Sequence, residues 1–186
     1  MRARSVLLLA LSAVMAASSW MLLAGGAGAS AEAKKAKLKC PQGDAAIAQI
    51  EPLFDINANT ENSLKKRLSA VQFGNLKAVK EQIQIVDANN PVGDVRAQPI
   101  ADIQFIDKTS ATGNLTITFS EGTSTLDQGQ QFFLCVGKDQ NGSKKGKWLI
   151  SLYSLCSLYA LNPCSDDLTN KAIKTLTPGL LELTTQ

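Results

Sequence analysis

Apolar positions recur along this chain with two periods, and the change from one to the other divides it. Asp44 can cap a helix in which Ile47, Ile50 and Phe54 recur at helical spacing, with Pro52 ending or kinking the run. Asn57 to Thr60 is turn-like, and Thr60 is a good N-cap. Leu64, Leu68 and Val71 then share a face, with Lys65, Lys66 and Arg67 mostly off it, until Phe73-Gly74-Asn75 stops the helix. Leu76, Val79, Ile83 and Val86 start a third helical face. It ends in a breaker-rich loop, Asp87 to Gly93, that contains Asn90-Pro91.

After Pro99 the period becomes two. Ala101, Ile103, Phe105 and Asp107 alternate with Asp102, Gln104, Ile106 and Lys108, and Thr109 to Gly113 reads as a turn. Leu115, Ile117 and Phe119 alternate with Asn114, Thr116 and Thr118, a half-buried strand, and Glu121 to Gly129 is polar and turn-rich. Residues 131–136 are apolar on both faces, which places that strand centrally. A basic loop, Lys138 to Gly146, joins it to Lys147-Trp148-Leu149-Ile150-Ser151-Leu152 as a hairpin. Tyr153 to Leu161 turns helical, Asn162-Pro163 breaks it, and Ser165 caps a last short helix to about Thr175. Pro178-Gly179 leads into a ragged tail. Segregated helices and strands predict an α+β fold: N-terminal helices packed on one face of a curved antiparallel sheet of about four strands, cone-like.

The first residues add a compartment. Arg2 and Arg4 precede Val6 to Leu23, an apolar run of 18 residues, and Ala27-Gly28-Ala29 fits a small-x-small cleavage pattern. Residues 1–29 therefore read as a signal peptide. The apolar run is at the lower edge of what spans a bilayer, so the rival is an uncleaved anchor, and the Gly/Ala-rich end favours cleavage. The expected divisions are the signal, a basic lead-in over 30–43, a cone domain over 44–164 and a C-terminal extension over 165–186.

Charge changes once the signal is removed. Of 19 basic and 16 acidic residues, Arg2 and Arg4 leave with it, so the mature chain is near neutral and nucleic-acid binding is not expected. Lys34, Lys35, Lys37 and Lys39 form a local basic run, a solvated tether or a contact with anionic lipid or wall polymer. All four cysteines, Cys40, Cys135, Cys156 and Cys164, lie beyond the signal, and an even count in an oxidising compartment predicts two disulfides. Spacing allows three pairings; the favoured one is Cys40–Cys164, tying the domain ends, with Cys135–Cys156 inside it.

Taken together, the helix pair with Leu64 and Leu68, the break at Phe73-Gly74-Asn75 and the paired strands ending in Lys147-Trp148-Leu149-Ile150-Ser151 before a short apolar helix resemble the exported low-molecular-weight antigens of mycobacteria and related actinobacteria. Their domain is similar to the cone-shaped nuclear transport factor two-like fold. The resemblance covers about residues 44–161, and the four cysteines, the lysine-rich lead-in and the stretch past Cys164 depart from it. It implies a secreted or cell-wall-associated actinobacterial protein with no catalytic residues to carry over.

Chemistry is restricted by composition. The chain has no histidine, which removes Ser-His-Asp and Cys-His catalysis and histidine metal sites. Asp102, Asp107, Tyr153 and Tyr159 are the only groups resembling the acid and tyrosine that cone-fold enzymes use, and both acids are expected near solvent. Asp166-Asp167 could form a metal pair but fits the first turn of a helix better. Asn114-Leu115-Thr116 and Asn141-Gly142-Ser143 match the N-glycosylation pattern, by chance in a bacterial host. Phe105, Phe119, Phe132 and Trp148 either line a pocket or fill it as core. The expected function is a secreted or envelope-associated, non-catalytic interaction module without cofactor or metal. The alternative is a small-molecule or lipid carrier using a pocket between helices and sheet, and a cone-fold isomerase or hydrolase is a third class. The expected partner is a cell-envelope component or an apolar small molecule, with no membrane span after signal cleavage.

Overall fold

The computed structural model describes residues 38–89, 95–119, 125–137, 140, 146–158 and 163–185. Residues 1–29, read above as a signal, and most of the basic lead-in lie outside the described residues, as do Asn141-Gly142-Ser143 and Tyr159. Among the described residues four helices come first: α1 (Asp44–Ile50), α2 (Leu53–Ala58), α3 (Leu64–Leu68) and α4 (Lys77–Asn89). The strands β1 (Val95–Ala97), β2 (Ala101–Phe105), β3 (Ser110–Phe119), β4 (Thr125–Val136) and β5 (Lys147–Ile150) follow, then α5 (Leu152–Leu158), α6 (Asp166–Lys174) and α7 (Pro178–Leu183). The architecture is α+β, with helices on a curled antiparallel sheet.

The sheet runs β1–β3–β4–β5, and β2 also pairs with β3. β1 lies against Ile117 to Phe119 and β2 against Ala111 to Asn114, so the two share one outer lane and the sheet is four lanes wide. Register shifts between Ala101 and Gln104 and between Asn114 and Thr116 bend that side and help curl the sheet. β4 is central, and its second half, residues 131–136, is buried on both faces, as its sequence predicts.

Two turns differ from the sequence reading. Residues 110–113 are strand, because Asp107 closes the turn earlier: its carboxylate accepts from the Thr109 amide at 2.6 Å and hydroxyl at 2.8 Å. β4 begins at Thr125, inside the stretch read as turn. Its first half stays exposed and so tolerates polar residues. Helix capping also moves by one turn, since Ser63 rather than Thr60 accepts from the Lys66 amide and starts α3.

The main core lies between the helices and one sheet face, where Phe133, Cys135, Trp148 and Ile150 meet Ala46, Ile50, Phe54, Val71 and Val79. Phe54 of α2 meets Phe133 edge-on at 5.9 Å. The opposite face is also covered. Phe132, Leu134, Val136 and Leu149 pack with Leu180 of α7, which is fully buried. The tail therefore folds as a helix, with Pro178 at its start, and helices cover both faces of the sheet. Leu168 and Ala172 of α6 join the main core, so residues 165–185 belong to the domain and are not an extension.

Buried polar groups tie the first helices to the sheet. Residues 70–72 run alongside β5: the Ile150 amide donates to the Ala70 carbonyl and the Gln72 amide to the Ile150 carbonyl, both at 2.9 Å. Gln72 is fully buried; its Oε1 accepts from the Leu152 amide at 2.9 Å and its Nε2 donates to Gln140 Oε1. Arg67, expected off the apolar face, is buried instead. Its guanidinium donates to both Asp87 oxygens at 2.7 and 2.8 Å and to the Asn57 carbonyl at 2.6 Å, joining α2, α3 and α4. Phe73 takes φ 59°, and a side chain at Gly74 would collide with the Leu68 carbonyl, so only glycine fits behind it.

Both disulfides form, with pairing Cys40–Cys135 and Cys156–Cys164, in place of the expected Cys40–Cys164 and Cys135–Cys156. The physical reason is the position of the lead-in. Trp148 Nε1 donates to the Pro41 carbonyl at 2.9 Å and Gln42 to the Lys108 carbonyl at 2.9 Å, which lays Cys40 beside β4. Cys156 and Cys164 flank the α5–α6 connection. On the chain-entropy view, a separation of 95 stabilises by roughly 4–5 kcal/mol and one of 8 by roughly 2–3 kcal/mol.

Gln72→Leu should leave the buried Leu152 amide unpaired. We expect a loss of about 1–3 kcal/mol, read as a lower urea midpoint at unchanged slope. A midpoint equal to the parent's would contradict the role given to Gln72.

Candidate functional site

The four aromatic residues singled out from the sequence do not converge on one pocket. Trp148 is fully buried, with its ring N–H on Pro41 and its amide on Gln49 Oε1, and Phe105 meets it edge-on at 5.6 Å. Phe132 is on the opposite sheet face, stacked on Tyr153 at 5.4 Å. The side chain of Phe119 lies outside the described residues. Phe132 and Trp148 are thus core, and Phe105 covers the edge of Trp148 from a partly exposed position.

The acids Asp102 and Asp107 are both exposed. Asp102 is exposed and accepts from the Asn114 amide group at 2.9 Å. Asp107 is an exposed turn former. Burial raises its pKa, but hydrogen bonds from Ser110 and Thr109 outweigh that and hold it below the ordinary value of 3.8. Asp166 and Asp167 occupy the first turn of α6, behind the Ser165 cap. Among the described residues no group of three His, Cys, Asp or Glu side chains could hold a metal ion.

A groove lies elsewhere, beside the outer edge of β5. It has a volume of about 440 Å³ and is lined by Leu64, Lys65 and Leu68 of α3, by Ser69, Val71, Gly74 and Asn75 of the following segment, by Lys80 of α4 and by Lys147 and Leu149 of β5. Its position follows from the fold. Residues 70–72 seal the β5 edge, α3 and α4 diverge from that segment, and Lys147 and Leu149 point to the same side of the strand. Its apolar lining is the half-buried Leu64 and Leu68, with Val71 and Leu149 almost fully buried beneath them. The ionisable residues lining it are Lys65, Lys80 and Lys147, without an acid among them.

Lys147 is held in place. Its Nζ donates to the Ser69 carbonyl at 2.8 Å, and burial lowers its pKa below the ordinary lysine value of 10.5. An ammonium carries three protons, and the carbonyl takes one. The sequence places Leu64 and Leu68 on one helix face and Lys147 at the start of a hairpin strand, with nothing to join them. The signal it lacked is tertiary: only the pairing of residues 70–72 with β5 brings α3 beside Lys147.

No family model matches the chain, and no curated protein matches it in sequence. No helix among the described residues is long and apolar enough to cross a membrane. The two disulfides point to an oxidising, extracytoplasmic environment.

The lowered pKa of Lys147 makes a signed prediction. The folded chain holds this proton less tightly than the unfolded chain, so protonation opposes folding. Stability should rise as pH climbs through the folded pKa toward 10.5, and the penalty persists at lower pH. Urea midpoints measured from about pH 8 to about pH 10 should climb more steeply for the parent than for Lys147→Met. Parallel curves would contradict the desolvated lysine.

Proposed function

We propose that this protein is an exported, non-catalytic binding module of the extracytoplasmic space or cell envelope, with the lysine-rimmed groove beside β5 as its working surface. The observation that carries the reading is a contrast between two places. The sheet face that a cone-fold enzyme would hollow out is filled by Leu115, Phe133, Trp148 and Ile150. The groove is open, and its lysines face no acid within its lining. The chemistry agrees, because the chain has no histidine and Asp102 and Asp107 sit on the surface, with no tyrosine partner among the described residues. The resemblance to the exported low-molecular-weight antigens of actinobacteria, with an export signal and two disulfides, supports the same compartment.

The carrier reading is favoured over a purely macromolecular contact by one feature. A volume of about 440 Å³ falls within the usual range for small-molecule sites of about 300–1,000 Å³.

Native and denatured masses of the protein purified from its own culture medium test the proposal. The denatured mass should lack residues 1–29 and be lighter by the four hydrogens of two disulfides. The native mass should exceed it by a bound component that Leu68→Glu loses. Identical native and denatured masses for the parent would count against the binding module, and a full-length denatured mass against export with cleavage.

A further inference from the structure

We infer that the groove beside β5 takes a single-chain fatty acid, with its carboxylate at Lys147 and its alkyl chain along Leu64, Leu68, Val71 and Leu149. This rests on the binding-module reading above and names its ligand class.

Three observations lead there. The first is charge. Lys65, Lys80 and Lys147 are the ionisable side chains of the lining, and none of them is in an ion pair seen among the described residues. The second is the placement of Lys147. It is half-buried, its charge is penalised by desolvation, and one proton is fixed on Ser69, so two protons can meet an acceptor entering the groove. An anion there restores the solvation that burial removed, and a charge-assisted bond in such a site is stronger than a neutral one. The third is the floor. The half-buried Leu64 and Leu68 of α3 supply its accessible apolar surface, over the almost fully buried Val71 and Leu149. An apolar chain gains from leaving water in proportion to the area it buries.

An acyl chain ending in one negative charge satisfies all three. A neutral hydrocarbon leaves Lys147 without its counter-ion, and a short inorganic anion leaves the floor exposed. The volume suits one chain more than two. The ligand also gives the lysine a role despite its cost: Lys147→Met would keep the packing of the stem and lose the headgroup contact together with the bond to Ser69.

Isothermal titration of the mature, disulfide-intact protein with sodium palmitate tests this directly. Palmitate should bind saturably at one site per chain, and 1-hexadecanol about tenfold or more weaker. Lys147→Met should weaken palmitate by a similar factor while leaving hexadecanol unchanged, and added salt should weaken palmitate alone. Because Leu68→Glu could perturb folding, the comparison of the two ligands on the parent protein stands independently of any variant. Absence of saturable palmitate binding, equal affinity for acid and alcohol, or tighter binding of lysophosphatidic acid than of palmitate would each overturn the fatty-acid assignment. If palmitate fails while the protein from culture medium still carries a bound mass, the ligand class falls and the binding module stands. If both fail, both fall.

Discussion

The structure depends on how the free edge of β5 is closed. A four-lane sheet that ended at β5 would present unpaired amides and carbonyls, a template for association. Residues 70–72 close that edge through the Ile150 amide and carbonyl, and the buried Gln72 side chain extends the closure to the first amide of α5. A polar side chain this deep costs free energy unless its bonds are made. Here both ends of the Gln72 amide are used, so the contact also fixes the register of the helical layer against the sheet.

Other features reinforce the same arrangement. The Arg67–Asp87 pair with Asn57 holds α3 between α2 and α4, and the turn at Phe73 and Gly74 redirects the chain from the β5 edge into α4. Lys171 of α6 lies 4.4 Å above the Phe73 ring, which brings the C-terminal helices onto the same turn. The Cys40–Cys135 bond and the Pro41 contact with Trp148 pin the N-terminal segment to β4 and β5. The groove is what this geometry leaves open. Along it Leu64 and Leu68 stay half-buried over the buried Val71 and Leu149, and its ionisable lining is lysine.

Local signals made the helices and most strands legible. Pro52 split α1 from α2, Ser165 capped α6, and the doubly apolar run at 131–136 was central as its composition implied. The misreadings share a cause. Asp107 closed its turn through a side-chain bond that outweighed the glycine signal at Gly113, and the polar start of β4 extended a strand at an exposed edge. The tail, Arg67 and the disulfide pairing were decided by contacts remote in sequence: Leu180 finds the second face of the sheet, Arg67 finds Asp87, and Cys40 follows Pro41 onto Trp148. The candidate site was legible only as separate parts, a leucine pair and a lysine, because the β5-edge pairing that joins them has no local signature.

Amide hydrogen exchange tests the central claim most directly. If the 70–72 segment seals β5, the amides of Gln72, Ile150 and Leu152 should exchange only through global unfolding, at the rate of the central β4 amides such as Phe133. Exchange of those three as fast as that of the frayed helix ends, with β4 still protected, would mean that the edge opens on its own. The groove would then lose the wall that defines it.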